Sequence, residues 1–278
     1  MQASTVVISG ATSGIGEVAA DRLAAKGARV VFIARDTARG EETLKHLRAI
    51  APQADHAVYY ADLSKLRDTK RVASEIVAAE RRIDVLINNA GAMFNSRRVT
   101  EDGLEMTFAT NHMSYFILSN VLKERMGEGG RIVNTASDAH SGPRLDFEDL
   151  QSAKHYGGFR AYGRSKLCNI LFTRELARRL AGTGITTNCL HPGFVATRFG
   201  NQSGGILSLA IRAAKNFALT PEQGAETIVY LASSPDAADV TGEYFHKCQA
   251  TAPSKAAQND DDAKRLWEVS ARLAGVGG

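Results

Sequence analysis

Tyr162 and Lys166 stand four residues apart in the stretch YGRSK, inside a run with helical apolar spacing. Residues at i and i+4 lie one above the other on a single helix face. An ammonium held beside a phenol favours the phenolate, so it draws the tyrosine pKa down from its usual value near about 10. A tyrosine tuned in this way can trade a proton near neutral pH. Taken alone, the pair equally fits an amphipathic tyrosine and a solvated lysine, so its meaning rests on the rest of the chain.

A second candidate lies near the start, in Ser9-Gly10-Ala11-Thr12-Ser13-Gly14-Ile15-Gly16. It follows an apolar strand-like run, Thr5 to Ser9, and opens a helical pattern. Glycine serves where a Cβ would block the turn or an approaching ligand. The helix N-terminus then offers free N–H groups and the positive end of its dipole to a pyrophosphate. In a strand–turn–helix context this spacing predicts dinucleotide binding through Gly10, Thr12, Ser13, Gly14, Ile15 and Gly16. The second strand ends Phe32-Ile33-Ala34-Arg35-Asp36. Ala34 is neutral where an NAD site carries its ribose-binding acid, and the adjacent Arg35 suits a 2′-phosphate. The expected cofactor is therefore NADP(H) in preference to NAD(H). Asp36 is read as the cap of the following helix, with ribose binding as its other possible use.

The elements that must position these groups alternate strand and helix. Strands are expected at residues 6–9, 29–34, 56–61, 83–88, 131–136 and 186–190, and Tyr244-Phe245 suggests a last one. Helices are expected at 14–26, 38–49, 64–80, through much of 103–126, and at 161–180. Thr220-Pro221-Glu222-Gln223 has the composition of a capping box with proline in the first turn. Asp260 to Asp262 suits the N-terminus of a final helix. The strands are almost wholly apolar, as required when both faces are covered. This pattern predicts an α/β fold of the Rossmann type, a doubly wound parallel sheet in one domain over residues 1–278. An apolar stretch after the sixth strand, with Ile206, Leu207, Leu209, Ile211 and Phe217, is expected to form a substrate lid over about 194–220. The terminal helix is expected as an extension.

Composition narrows the possibilities further. The chain has 278 residues, 44% hydrophobic and 23% charged, enough for one large core. The net charge of +4 is spread along the chain without a dense basic block, which argues against nucleic-acid binding. Cys168, Cys189 and Cys248 are widely spaced, and no metal site is expected. Cys168 is read as a packing residue. The first strand begins almost at the N-terminus, and no run approaches the roughly 20 apolar residues of a membrane span. The expectation is a soluble, cytoplasmic protein without an integral membrane segment.

With these landmarks in order, the chain resembles the short-chain dehydrogenases/reductases over nearly its whole length. The resemblance rests on SGATSGIG at Ser9 to Gly16, Asp62-Leu63, Asn88-Asn89-Ala90-Gly91, Asn111, Ser137, YGRSK and His191-Pro192-Gly193. It implies that Tyr162 is the general acid/base, that Lys166 lowers its pKa and binds the nicotinamide ribose, and that Ser137 holds the substrate oxygen. It implies that Asn111 completes a tetrad by positioning a water that links Lys166 to solvent. It also implies cofactor contacts from Asp62, Leu63, Asn89, Ala90 and Gly91 at the adenosine end, and from Pro192, Gly193, Val195 and Thr197 at the nicotinamide.

Within that family the chain looks most like the NADP-preferring, retinal-reducing retinol dehydrogenases. The stretches IARD, FEDLQS, SKLCNILFTRELARRL, HPGFVAT and RLWEVSARL carry this likeness. The membrane-bound members begin with an apolar anchor helix, and this chain begins directly at its first strand. The implied activity is interconversion of a hydrophobic aldehyde or ketone and its alcohol. The pocket is expected from Met93, Phe94, Phe147, Tyr156 and Phe159 together with the lid. A homodimer or tetramer is implied by the same likeness. Reduction of a C=C bond, as in protochlorophyllide reductases, and a non-catalytic NADP(H)-binding regulator are the alternatives.

Overall fold

The structure, a computed structural model, describes residues 4–193 and 219–277. Among these residues eight strands form one sheet, ordered β3-β2-β1-β4-β5-β6-β7-β8. They are β1 (Thr5–Ser9), β2 (Arg29–Ala34), β3 (Ala57–Tyr60), β4 (Val85–Asn88), β5 (Arg131–Thr135), β6 (Thr186–Leu190), β7 (Tyr244–His246) and β8 (Gln249–Ala250). Every neighbouring pair is parallel except β7 and β8. The chain builds outward from β1 to β3, then returns to β4 on the other side of β1. This reversal opens a crevice beyond the carboxyl ends of β1 and β4, where ligands bind in sheets of this kind.

Helices cover both faces, which is why the strands carry apolar residues in near-continuous runs. Helices α1 (Gly14–Ala25), α2 (Thr37–Ile50) and α7 (Pro221–Ser233) close one face through Leu23, Leu44, Leu47 and Ile228. The other face packs against α3 (Leu66–Ala79), α4 (Met106–Phe108), α5 (Ser114–Leu122), α6 (Gly158–Arg179) and α8 (Asp260–Ala274). There Phe116, Phe172 and Trp267 form an aromatic cluster, with Phe172 and Trp267 stacked at 5.8 Å between centroids. The predicted capping box at Thr220 and Gln223 is present in both directions. Asn259 caps α8 ahead of the three aspartates. Among the described residues no helix is long and apolar enough to cross a membrane.

Two local features depart from the sequence reading. The segment expected as one helix over much of 103–126 is helical from Met106 to Arg125, but it is not α-helical throughout. A π-helical turn, Ala109–Met113, separates α4 from α5, and a 3₁₀ turn, Lys123–Arg125, follows α5. The π turn contains Asn111, whose carboxamide reaches across to the loop after β4, so a tertiary bond accompanies the irregularity. The antiparallel strand β8 was also not expected. Its two-residue connection, Lys247-Cys248, has φ of 49° and 62°, the positive values of a tight hairpin turn. Asparagine and glycine normally mark such turns, and here neither does. The Cys248 amide is held by the Thr227 hydroxyl at 3.1 Å, which anchors the turn from α7.

Candidate active site

The glycine loop is shaped by close approach. Gly10 and Gly14 have φ of +76° and +62°, a region that costs other L-residues free energy. A Cβ on Gly16 would stand 2.2 Å from the Gly10 carbonyl oxygen and 2.4 Å from Asn89 Nδ2. Gly16 does not line the cleft; it lets α1 start directly beneath the turn. Asn89 closes the arrangement by donating from Nδ2 to the Gly10 carbonyl at 3.2 Å. The Ser9 hydroxyl accepts from the amides of Asn89 and Ala90. The loops after β1 and β4 are thus tied to each other. Ser13 caps α1 without a side-chain hydrogen bond, so the first amides of that helix keep their donors for a ligand. This cradle fits a pyrophosphate.

Arg35 lines the same cleft at the end of β2. Asp36 accepts from the Arg39 amide at 2.9 Å, so it is the cap of α2. Asp62 uses Oδ1 to accept from both the amide and the hydroxyl of Ser64, which shapes the loop after β3 at the cleft wall. Leu63, Ala90 and Gly91 also line the cleft.

Ser137, Tyr162 and Lys166 converge at the other end of the cleft, which has a volume of about 2590 Å³. Ser137 caps a 3₁₀ turn, Asp138–Ser141, and hydrogen-bonds the Tyr162 hydroxyl. Gly163 permits this. A Cβ there would lie 2.5 Å from the Ala139 carbonyl oxygen, so only glycine lets α6 press Tyr162 against the Ser137 turn. Lys166 donates from Nζ to the Thr135 carbonyl at 2.8 Å and sits 5.6 Å from the Tyr162 ring centroid.

The electrostatics correct one expectation. Tyr162 is not lowered in this site: burial pushes its phenol up to about 12, with the Ser137 hydrogen bond pulling the other way. Burial pushes Lys166 down to about 7. Desolvation penalises phenolate and ammonium alike, and here it outweighs any mutual stabilisation.

Asn111 is completely buried and does not line the cleft. Its Oδ1 accepts from the Ala92 amide at 2.7 Å, and its Nδ2 donates to the Ala92 carbonyl and to the Ser165 hydroxyl, both at 2.9 Å. It therefore staples the loop after β4 to α6. Gly91 leaves the space between Asn111 and Lys166 open: a Cβ there would be 3.4 Å from Asn111 Oδ1 and 3.5 Å from Lys166 Nζ.

The residues expected to form the pocket divide between the cleft and its surroundings. Met93, Phe94 and Phe159 line the cleft, and Phe159 is 62% exposed. Phe147 and Tyr156 do not. Phe147 packs under the Arg265 guanidinium, and the Tyr156 hydroxyl donates to the Phe94 carbonyl, so both brace the rim from outside. Pro192 and Gly193 line the cleft, with Gly193 at φ +81°. Val195, Thr197 and the lid residues Ile206, Leu207, Leu209, Ile211 and Phe217 lie outside the described residues. Cys168 is buried with its thiol pushed up to about 12, consistent with packing.

Sequence reasoning missed Ser9, Thr135, Gly163 and His140. Gly163 carried a signal, a glycine inside a long helix, where it costs roughly 1 kcal/mol relative to alanine and asks for a packing reason. Thr135 acts through its backbone, which no side-chain pattern reveals.

Residues 4–204 match the family model described as short chain dehydrogenase. Retinol dehydrogenase 14 of Mus musculus is 41% identical over 293 residues, covering 99% of this chain and 87% of its own length. Retinol dehydrogenase 12 of Mus musculus is 40% identical over 273 residues, covering 98% and 86%. Among solved structures, an uncharacterized protein from Mycobacterium paratuberculosis is 33% identical with a TM-score of 0.81, covering 99% of this chain and 94% of its own. A short chain dehydrogenase from Burkholderia cenocepacia, in complex with NADP, is 25% identical with a TM-score of 0.71, covering 93% and 99%.

Proposed function

This chain belongs to the short chain dehydrogenase family, and we propose that it is an NADP(H)-dependent oxidoreductase that interconverts a hydrophobic aldehyde or ketone and its alcohol. The observation that carries the reading is the convergence of Ser137, Tyr162 and Lys166 in the cleft that also contains the glycine cradle. The curated relatives are retinol dehydrogenases, which favours a long apolar carbonyl compound such as retinal.

The dinucleotide would be held by Gly10, Thr12, Ser13, Gly14 and Ile15 at its pyrophosphate and by Asp62, Leu63, Asn89, Ala90 and Gly91 at its adenosine. Pro192, Gly193, Val195, Thr197, Tyr162 and Lys166 would meet its nicotinamide half. When bound, it supplies the hydride that a carbonyl carbon accepts. Arg35 has no ion-pair partner among the described residues, and Asp36 is engaged as a cap; both support a 2′-phosphate over a bare ribose.

Burial keeps the Tyr162 phenol protonated at neutral pH, the state needed to donate to a carbonyl oxygen. Ser137, bonded to that hydroxyl, holds the same oxygen and stabilises the charge that develops on it. Lys166 is fixed by Thr135 and stands beside the space left by Gly91, a placement that suits the nicotinamide ribose. Asn111 supports this by holding Ala92 and Ser165 in place. Met93, Phe94 and Phe159 supply apolar surface to the substrate.

The test is NADPH oxidation by purified protein against a panel of aldehydes and ketones that includes all-trans-retinal, with Tyr162→Phe as the control. Turnover of apolar carbonyls that disappears in the variant supports the reading. Bound NADPH with no turnover of any carbonyl overturns it and favours C=C reduction or a non-catalytic regulator.

A further inference from the structure

His140 lies three residues after Ser137, in the same 3₁₀ turn, and only 2% of its surface is exposed. Both ring nitrogens are engaged. Nδ1 lies 2.8 Å from the Ser137 carbonyl oxygen, which can only accept. Nε2 lies 3.0 Å from the amide of Ser254, which can only donate. Each contact demands the same state independently: neutral imidazole, proton on Nδ1, lone pair on Nε2. The His140 backbone amide also donates to the Ser137 carbonyl at 3.1 Å, so one residue grips that carbonyl twice. The ring is backed edge-on by Tyr244 at 5.1 Å between centroids.

Ser254 belongs to the arm that leads from β8 into a 3₁₀ turn, Lys255–Gln258, and then into α8. The Ser137 turn is thus held from two sides. On one side α6 contacts Ala139 through Gly163. On the other the C-terminal arm reaches Ser137 through the imidazole.

We propose that His140 is a positioning residue for Ser137, fixed by the Ser254 amide, so that the C-terminal arm sets the placement of the hydroxyl that holds the substrate oxygen. A misplacement of about 1 Å at such a group can cost on the order of 100-fold in rate, so the bond to Ser137 matters more than its modest stability would suggest. The inference rests on the role assigned to Ser137 above.

The test separates hydrogen bonding from packing. His140→Phe keeps an aromatic ring against Tyr244 and removes both bonds. His140→Asn keeps a side-chain amide in reach of the Ser137 carbonyl and loses only Ser254. Ser254→Pro removes the amide donor at a residue whose φ of −56° suits proline, while Ser254→Ala removes only the hydroxyl cap. The expected result is a fall in kcat of about 10- to 100-fold for His140→Phe, with NADPH affinity and melting temperature little changed. Partial recovery is expected in His140→Asn, and a larger loss in Ser254→Pro than in Ser254→Ala. A folded His140→Phe variant with kcat within about twofold of the parent overturns the proposal. A second readout needs no turnover. The ¹⁵N resonances of the His140 ring should report a neutral Nδ1–H tautomer at neutral pH, altered in Ser254→Pro. An Nε2–H tautomer or a cationic ring overturns the proposal. Absence of carbonyl turnover in the parent protein, with that tautomer present, counts against the carbonyl reductase reading and against the assigned role of Ser137, while the His140 linkage stands on its spectroscopic result.

Discussion

Lys166 directs its Nζ to the backbone carbonyl of Thr135, 2.8 Å away, and in that posture stands 5.6 Å from the centre of the Tyr162 ring. The pair that a helical i,i+4 spacing brings together is therefore organised by a strand end, which anchors Lys166. Lys166 is buried and Tyr162 half-buried, and for both the loss of solvent opposes the charged form.

That burial has a consequence for stability. Lys166 has its pKa lowered from 10.5 to about 7. Between those values the unfolded chain carries the extra proton, so stability rises with pH across the window and is flat below it. Tyr162, raised to about 12, acts oppositely, lowering stability from about pH 10 upward. Lys166→Met should remove the first effect. The parent protein should gain on the order of a few kcal/mol relative to this variant between about pH 7 and pH 10, read from urea denaturation at a series of pH values. Parallel pH curves for the two proteins would sink the idea.

Tyr162→Phe removes the proton donor and leaves the ring. Turnover should fall by at least about 100-fold, within the usual range for general acid catalysis. NADPH binding, followed by fluorescence titration, should change little, because the glycine cradle is untouched.

Gly163→Ala sets two effects against each other. Alanine favours the helix by roughly 1 kcal/mol. The new methyl, however, would meet the Ala139 carbonyl at 2.5 Å, and a backbone atom cannot swing aside. Overpacking of this kind costs about 1–3 kcal/mol, so the clash wins. The melting temperature should drop and kcat should fall further than the lost stability explains, since α6 and the Ser137 turn must part. A stabilised variant with full activity would refute this account of the glycine.

Arg35→Ser should raise the KM for NADPH by about 10-fold or more, the worth of one charge-assisted contact, and change the KM for NADH by less than about threefold. Steady-state kinetics with both cofactors decides it. Equal changes for the two would show that Arg35 does not read the 2′-phosphate.

The sequence by itself determined the order and type of the main elements. β2 at Arg29–Ala34 and β6 at Thr186–Leu190 have the predicted ends, because apolar runs bounded by turn residues leave little choice. It also determined the glycine turn and the capping box at Thr220, because these depend on local spacing, and it set Tyr162 and Lys166 on one helix face, while Ser137 was named only through the family resemblance. Tertiary structure alone decided what those residues experience. The π turn at Asn111, the reach of Asn89 to Gly10, the close passage of Gly163 past Ala139 and the bond from His140 to Ser254 all join segments far apart in the chain. The direction of the Tyr162 shift belongs with them. Spacing along a helix sets which side chains are neighbours, but desolvation depends on everything packed around them, and that is known only once the sheet, its helices and the C-terminal arm have closed over the site.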